Sequence, residues 1–330
     1  MENCKRIISQ LGALRNVPQF FFCSDVSRYS LVLFRKELRD YLDKNHEDPN
    51  HNNEIDFIIN SGGGDADAAY KIITILKGRF KKVNVIVPLW AKSAATLISL
   101  GADEIIIDEM GEFGPLDPQI PKEKEDSPDF DFETSLIDES ALQLIEEKAQ
   151  VQFLNMFINI HEHKRIRIDR KEISRQIFHY ISEFYTPLLS QIDPYKMGQK
   201  NRITRIASEY AAKILSRTKT TSVNSRRLIY YLANECPVHG FVVDYEQIKQ
   251  FGLNIKLSDE IGVEYERRLR ELSDYMSLSF DHGNNAFIGF IPTKKSTTHT
   301  EETKSEPSSN LNEKQNGKAK KAETKQAAVK

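Results

Sequence analysis

Three short β-branched runs, Ile55 to Ile59, Val83 to Val87 and Glu104 to Ile107, are separated by two segments of helical spacing. Nothing else in the chain narrows its possible folds as much. Runs of this length and composition read as strands. The first spacer, Ala66 to Leu76, sets Ala68, Ala69, Ile72, Ile73 and Leu76 on one helical face, and the second, from about Ser93 to Leu100, is rich in small residues. Strand, helix, strand, helix, strand in that order implies consecutive βαβ units, a parallel sheet and right-handed crossovers. Asp65 stands where it can cap the first helix.

The flanking sequence extends this core. Pro18 to Cys23 reads as a buried strand, and Tyr29 to Leu42 as a helix with Leu31, Phe34, Leu38 and Leu42 on its packing face. Residues 1–17 fit either a short helix or an arm. His46 to Asn53 and the acidic, proline-containing Pro121 to Glu133 read as loops. From Thr134 to Glu183 the pattern is helical, with a stripe of Leu142, Ile145, Ala149, Phe153 and Phe157; it breaks at Pro187 to Asp193 and resumes over Arg202 to Leu215. Helices are expected again at Ser225 to Ala233, at Tyr245 to Phe251 with Gly252 as its C-cap, and at Tyr265 to Leu278. A terminal strand is expected at Phe287 to Ile291. Beyond Lys294 apolar residues nearly vanish, which predicts a disordered tail. The organisation expected is an α/β core with the candidate nucleophile over 1–133, a helical region over 134–292 that completes the core and supplies an assembly surface, and a polar tail over 293–330.

At 330 residues the chain can bury a core without covalent staples. Its three cysteines, Cys4, Cys23 and Cys236, are far apart and show neither disulfide nor zinc spacing, which fits a reducing, cytoplasmic setting. A net charge of −2 gives no general attraction for nucleic acid, and Arg226 and Arg227 before a turn do not by themselves make a DNA-binding motif. No apolar run approaches the roughly 18 to 20 residues that span a bilayer, and Met1 to Arg6 lacks the apolar core of a signal peptide. His46, His51 and the His161-Glu162-His163 cluster lack a ligand set, so neither a metal nor a cofactor is expected.

Two strand-to-helix junctions carry chemistry. Asn60-Ser61-Gly62-Gly63-Gly64 follows the first strand, and glycines there allow positive φ and bring amide N–H groups close to a ligand. A plain turn explains such a loop equally well. Ser93, flanked by Lys92, Ala94 and Ala95, sits at the next helix start. A serine there is commonly an N-cap. The position also suits a nucleophile, because the Ala94 amide can face a developing oxyanion and the small neighbours leave room for an acyl group. In a parallel sheet both junctions lie at the carboxyl ends of strands, where ligands bind.

At these residues the chain resembles the Clp-protease and signal-peptide-peptidase group of the crotonase-like fold, and most specifically the serine dehydrogenase proteinase family. The resemblance rests on Asn60 to Gly64, Val85 to Pro88 with Ala91 to Ile98, Ala102 to Ile105 and Gly114-Pro115-Leu116-Asp117-Pro118-Gln119. It continues in Gln191 to Pro194 with Met197-Gly198, and in Pro237 to Phe241. It implies a crotonase/ClpP-like α/β core of repeated ββα-type units, with a helical C-terminal region. It also implies peptide hydrolysis through an acyl-enzyme on Ser93, with oxyanion-hole amides from Gly64 (or Gly63) and Ala94. The substrate would be a peptide or unfolded protein lying as an added strand beside the glycine loop, and the enzyme a homo-oligomer.

Clp-type relatives place a histidine shortly after the third strand, where this chain has Phe113 to Gln119, and signal-peptide-peptidase relatives use a lysine instead. The general base is therefore open. Lys122 can serve if burial lowers its pKa, Lys92 adjoins the serine but would point away from it, and Asp117 can orient a base or a substrate amide or simply shape its turn; His239, in the Pro237 to Phe241 motif, reads rather as a structural turn residue. Two further readings remain: a catalytically inactive ClpP-like protein that binds peptide or supports assembly, with Lys92 holding a peptide carboxylate, and an acyl-CoA-handling crotonase.

Overall fold

The computed structural model describes residues 2–48, 53–116, 119–121, 132–162, 169–218, 222–238, 240–279 and 286–292. The chain divides into units Met1–Lys295 and Ser296–Lys330, and every described residue belongs to the first. The tail expected over 293–330 lies outside the described residues.

The elements come in the order α1 (Glu2–Arg15), β1 (Gln19–Cys23), α2 (Arg28–Lys44), β2 (Glu54–Asn60), α3 (Ala66–Arg79), β3 (Lys82–Val87), β4 (Trp90–Ala91), α4 (Ala94–Ser99), β5 (Glu104–Ile107) and β6 (Glu112–Phe113). After them come β7 (Gln119–Pro121), β8 (Phe132–Thr134), α5 (Ser135–Glu162), α6 (Arg170–Leu189), α7 (Pro194–Leu215) and α8 (Ser222–Tyr230), which ends in a π-helical turn, Tyr231–Glu235. α9 (Tyr245–Lys249), β9 (Ile255–Leu257), α10 (Val263–Ser279) and β10 (Phe287–Ile291) complete the chain.

Six strands form the main sheet in the order β10-β1-β2-β3-β5-β9. Five run parallel, and β10 closes one edge antiparallel to β1. Such a sheet is covered on both faces, which is why its strands read as near-continuous apolar runs. Phe20 and Phe22 join Phe57, Ile59, Val85 and Ile105 in the cluster shared with α2, α3 and α4. Phe21, Ile58, Ile86 and Ile106 point the other way, onto Ile7, Ile8 and Leu11 of α1 and Leu269, Leu272 and Met276 of α10. That packing settles the N-terminal segment as a helix over Glu2–Arg15.

β4 and β6 pair with each other, parallel, in a second small layer. Each follows a main-sheet strand, so β3-β4-α4 is a ββα unit and β5-β6 begins another. The α/β class, the parallel sheet and the helical C-terminal region thus stand as expected. Some boundaries differ from the sequence reading. α6 runs on through Pro187 to Leu189, and α7 starts at Pro194 because Asp193 caps it, accepting from the Tyr195 and Lys196 amides. The loop expected over Pro121 to Glu133 is bounded by the antiparallel pair β7-β8; its interior lies outside the described residues. Among the described residues no helix is long and apolar enough to cross a membrane.

Candidate active site

β2 and β4 deliver the two junctions to the same end of the core. Ser61, the residue after β2, brackets Ala91: its N–H donates to Trp90 O at 2.9 Å, and Lys92 N–H donates back to Ser61 O at 3.0 Å. Asn60 Oδ1 accepts the Trp90 N–H at 3.0 Å. The glycine loop is therefore hydrogen-bonded directly to the segment that presents Ser93. On its other side Val26 N–H donates to Gly63 O at 2.8 Å and Asp65 N–H to Val26 O at 2.7 Å. In a parallel bridge of this kind Gly64, between those two groups, turns its own N–H and C=O away from Val26.

Two glycines are required by geometry. Gly63 has φ +107 and packs onto the serine, since a Cβ there would lie 2.7 Å from Ser93 Cβ and 2.8 Å from Lys92 O. Gly64 has φ +133, and its Cβ would lie 2.2 Å from Val26 O, a backbone atom. We expect Gly64→Ala to cost about 2 to 4 kcal/mol of stability, from strain at positive φ added to a backbone clash. Chemical denaturation checks this, and a loss below about 1 kcal/mol would show that the loop yields freely. Gly62 meets nothing within 4 Å.

Ser93 has φ 47 and ψ −112 and makes no side-chain cap hydrogen bond to α4. The N-cap role therefore does not apply, for an N-cap residue has extended dihedrals and its oxygen binds an amide of the first turn. A non-glycine residue held here costs on the order of 1 to 3 kcal/mol, and such strain gathers at functional sites. The backbone makes a sharp turn between β4 and α4 that leaves the Ser93 side chain out of the helix cap.

Three backbone amides at these junctions differ in their use. Gly63 N–H donates to Ser61 Oγ at 3.1 Å. Among the described residues the Gly64 and Ala94 amides donate to no other protein group. Asp65 caps α3, accepting from the Asp67 and Ala68 amides, as the sequence indicates.

Lys92 turns to β6, with Nζ 3.1 Å from Glu112 Oε1 and donating to Phe113 O at 3.2 Å. The cation that a binding-platform reading would offer to a peptide carboxylate is thus already paired. Asp117, Lys122 and His239 lie outside the described residues. The described histidines, His46, His161 and His179, are all exposed on α5, on α6 or just after α2. Cys23, at the carboxyl end of β1, is the other nucleophile type near this edge, 3.9 Å from Asn60 Nδ2. Burial pushes its thiol up to about 12, so it stays protonated and unreactive. Among the described residues no group of three or more His, Cys, Asp or Glu side chains is placed to hold a metal ion.

Two other features carry no signal in the sequence. Tyr210 of α7 donates to Asp67 Oδ1 at 2.6 Å and stacks on Tyr70, pinning the helical region to the first turn of α3; that hydrogen bond, with burial, raises its phenol to about 12. Thr96 bridges α4 to the segment after β6.

Residues 44–185 match the family model of the ClpP-like SDH-type serine proteinases. The match spans both junctions and, at the level of the family, is to serine peptidases. Two uncharacterized proteins of Methanocaldococcus jannaschii, MJ1495 and MJ0137, are each 48% identical over 66 residues, 20% of this chain and 23% of theirs. The chain thus spans about a quarter of the length of these curated relatives. Among solved structures, a mutant of a membrane-bound stomatin-specific protease is 19% identical with a TM-score of 0.28, over 39% of this chain and 60% of that one.

Proposed function

We propose that this chain is a serine peptidase in which Ser93 attacks the scissile carbonyl and the Gly64 and Ala94 amides receive the oxyanion. The reading is carried by one observation: Ser93 is held at φ 47 with its hydroxyl uncommitted as a cap, packed against Gly63. As Ser93 Oγ bonds to the carbonyl carbon its proton passes to a base, and the carbonyl oxygen becomes an anion facing two fixed N–H groups. Collapse expels the amine, which takes up that proton, and leaves an ester on Ser93. Water, deprotonated by the same base, then releases the acid and restores the hydroxyl. Lys122 is assigned as the base and Asp117 as its orienting partner; the lysine must be desolvated to be neutral near pH 7.

A peptide or unfolded polypeptide in extended form fits as substrate, because the outward N–H and C=O of Gly64 can pair with its backbone. Assembly into a homo-oligomer and a cytoplasmic setting belong to the same reading; the three buried free thiols support the latter. An acyl-CoA crotonase would need only the two amides and leaves the strained serine without a role.

A fluorophosphonate probe tests the reading directly. Peptide mapping is expected to find a single adduct on Ser93, with peptidase activity lost in proportion to labelling. Folded protein that stays unlabelled and cleaves no peptide would instead favour a non-catalytic binding role.

A further inference from the structure

Resting on that reading of Ser93, we infer that Thr96 is the positioning residue that holds the serine in its attacking conformation. Thr96 is fully buried in the first turn of α4. A helical threonine ordinarily turns its hydroxyl onto a carbonyl three or four residues back. Here the carbonyl four back, Lys92 O, accepts the Ala95 N–H at 2.8 Å. Thr96 Oγ1 instead lies 2.6 Å from Ala91 O, the last carbonyl of β4. It also lies 2.9 Å from Gly114 O and accepts the Gly114 N–H at 3.1 Å.

One hydroxyl thus joins the end of β4, the start of α4 and the first residue after β6. The Ala91–Thr96 contact closes a loop with the strained Ser93 inside it. α4 is only six residues long and its first turn has no side-chain cap, so the helix itself supplies little to keep Ser93 at positive φ. Gly114 also lies close against the backbone of this turn, since a Cβ there would lie 3.3 Å from Lys92 Cα. Without the hydroxyl, the turn between residues 91 and 96 is free to relax, and Ser93 Oγ and the Ala94 amide lose their joint aim at one carbonyl.

The test is Thr96→Val, which keeps shape and removes the hydroxyl, with Thr96→Ser as the rescue. The valine variant is expected to lose about 100-fold in kcat per folded molecule with KM changed by less than about threefold, because a displacement of about 1 Å at the reacting atoms has that effect. The rate of fluorophosphonate labelling of Ser93 should fall in parallel, and the serine variant should recover both to within about fivefold. A purely structural threonine would lower Tm but leave kcat and labelling rate per folded molecule unchanged, and that result overturns the inference. If Thr96→Val does not fold, Thr96→Ala, which leaves room for a water, takes its place with the same outcomes. Should wild-type Ser93 prove unreactive, the peptidase reading fails separately, and a crystal structure of Thr96→Ala decides this one. Ser93 moving to negative φ supports the brace; Ser93 remaining near φ 47 overturns it.

Discussion

Ser93→Ala is expected to lower kcat for peptide hydrolysis by about 10⁵- to 10⁶-fold, the scale on which removing a nucleophilic serine acts, while KM changes little. The attack step disappears, whereas the surfaces that bind substrate stay. Stability should hold within about 0.5 kcal/mol, because the hydroxyl makes no cap hydrogen bond and alanine keeps the Cβ that packs on Gly63. Lys92→Met is the informative control. Its ammonium is bound to Glu112 and Phe113 O, so its loss should alter turnover by less than about tenfold even though it adjoins the nucleophile. Steady-state kinetics on a fluorogenic peptide, normalised by active-site titration, measures both. A Lys92→Met loss as large as that of Ser93→Ala would move the base assignment from Lys122 to Lys92, and unchanged turnover in Ser93→Ala would end the serine-peptidase reading.

Local chemistry explains which parts were readable from the sequence. β5 and β10 fall on the predicted residues because each is an apolar run bounded by breakers, and Asp65 caps α3 because the aspartate stands just before an apolar period. β4 and β6 were not legible. Two-residue strands carry no periodicity, and these exist because Ser61 pairs with Ala91 of β4 and Val243 with Phe113 of β6, partners far away in sequence. β9 was missed for the same reason, as Ile255–Leu257 becomes a strand only by pairing beside β5. Pro187 sits in the last turn of α6, where a break in the pattern does not coincide with the end of the helix. Within the site, the glycine loop and Ser93 stood out by residue type and position. The strain at Ser93, the Ser61 contact with Gly63 and the Thr96 brace did not, because each is a relation between segments rather than a property of any one.

Arg15→Met is expected to destabilise the fold by about 3 to 5 kcal/mol, the range for stripping one partner from a buried ion pair. Gln19, Asp56, Asn84 and Glu104 stand side by side in register across β1, β2, β3 and β5, in strands that otherwise turn apolar residues toward α1 and α10. Asp56 is fully buried, and its Oδ2 accepts from Arg15 Nε at 2.8 Å and from Gln19 Nε2 at 2.8 Å. Its Oδ1 accepts from Asn84 Nδ2 at 2.7 Å. Methionine would fill the volume but leave that carboxylate in apolar surroundings with two neutral donors. Arg15→Met/Asp56→Leu should recover only part of the loss, since the buried Gln19 and Asn84 amides would each keep one acceptor, Val17 O and Glu54 Oε1, and lose the other. The β5 end of the row gives a pH signature. Burial alone would raise the Glu104 carboxyl, but hydrogen bonds from Lys256 and Lys82 outweigh it and bring the pKa below the ordinary 4.5. A carboxyl depressed on folding contributes stability above its unfolded pKa and loses it as pH falls through the folded one. Wild-type stability should therefore decline below about pH 4.5, and Lys82→Met should flatten that decline while costing stability at neutral pH. Urea denaturation across pH 3 to 8 measures all of these variants, and an Arg15→Met loss under about 1 kcal/mol would mean that water reaches Asp56 in the folded state.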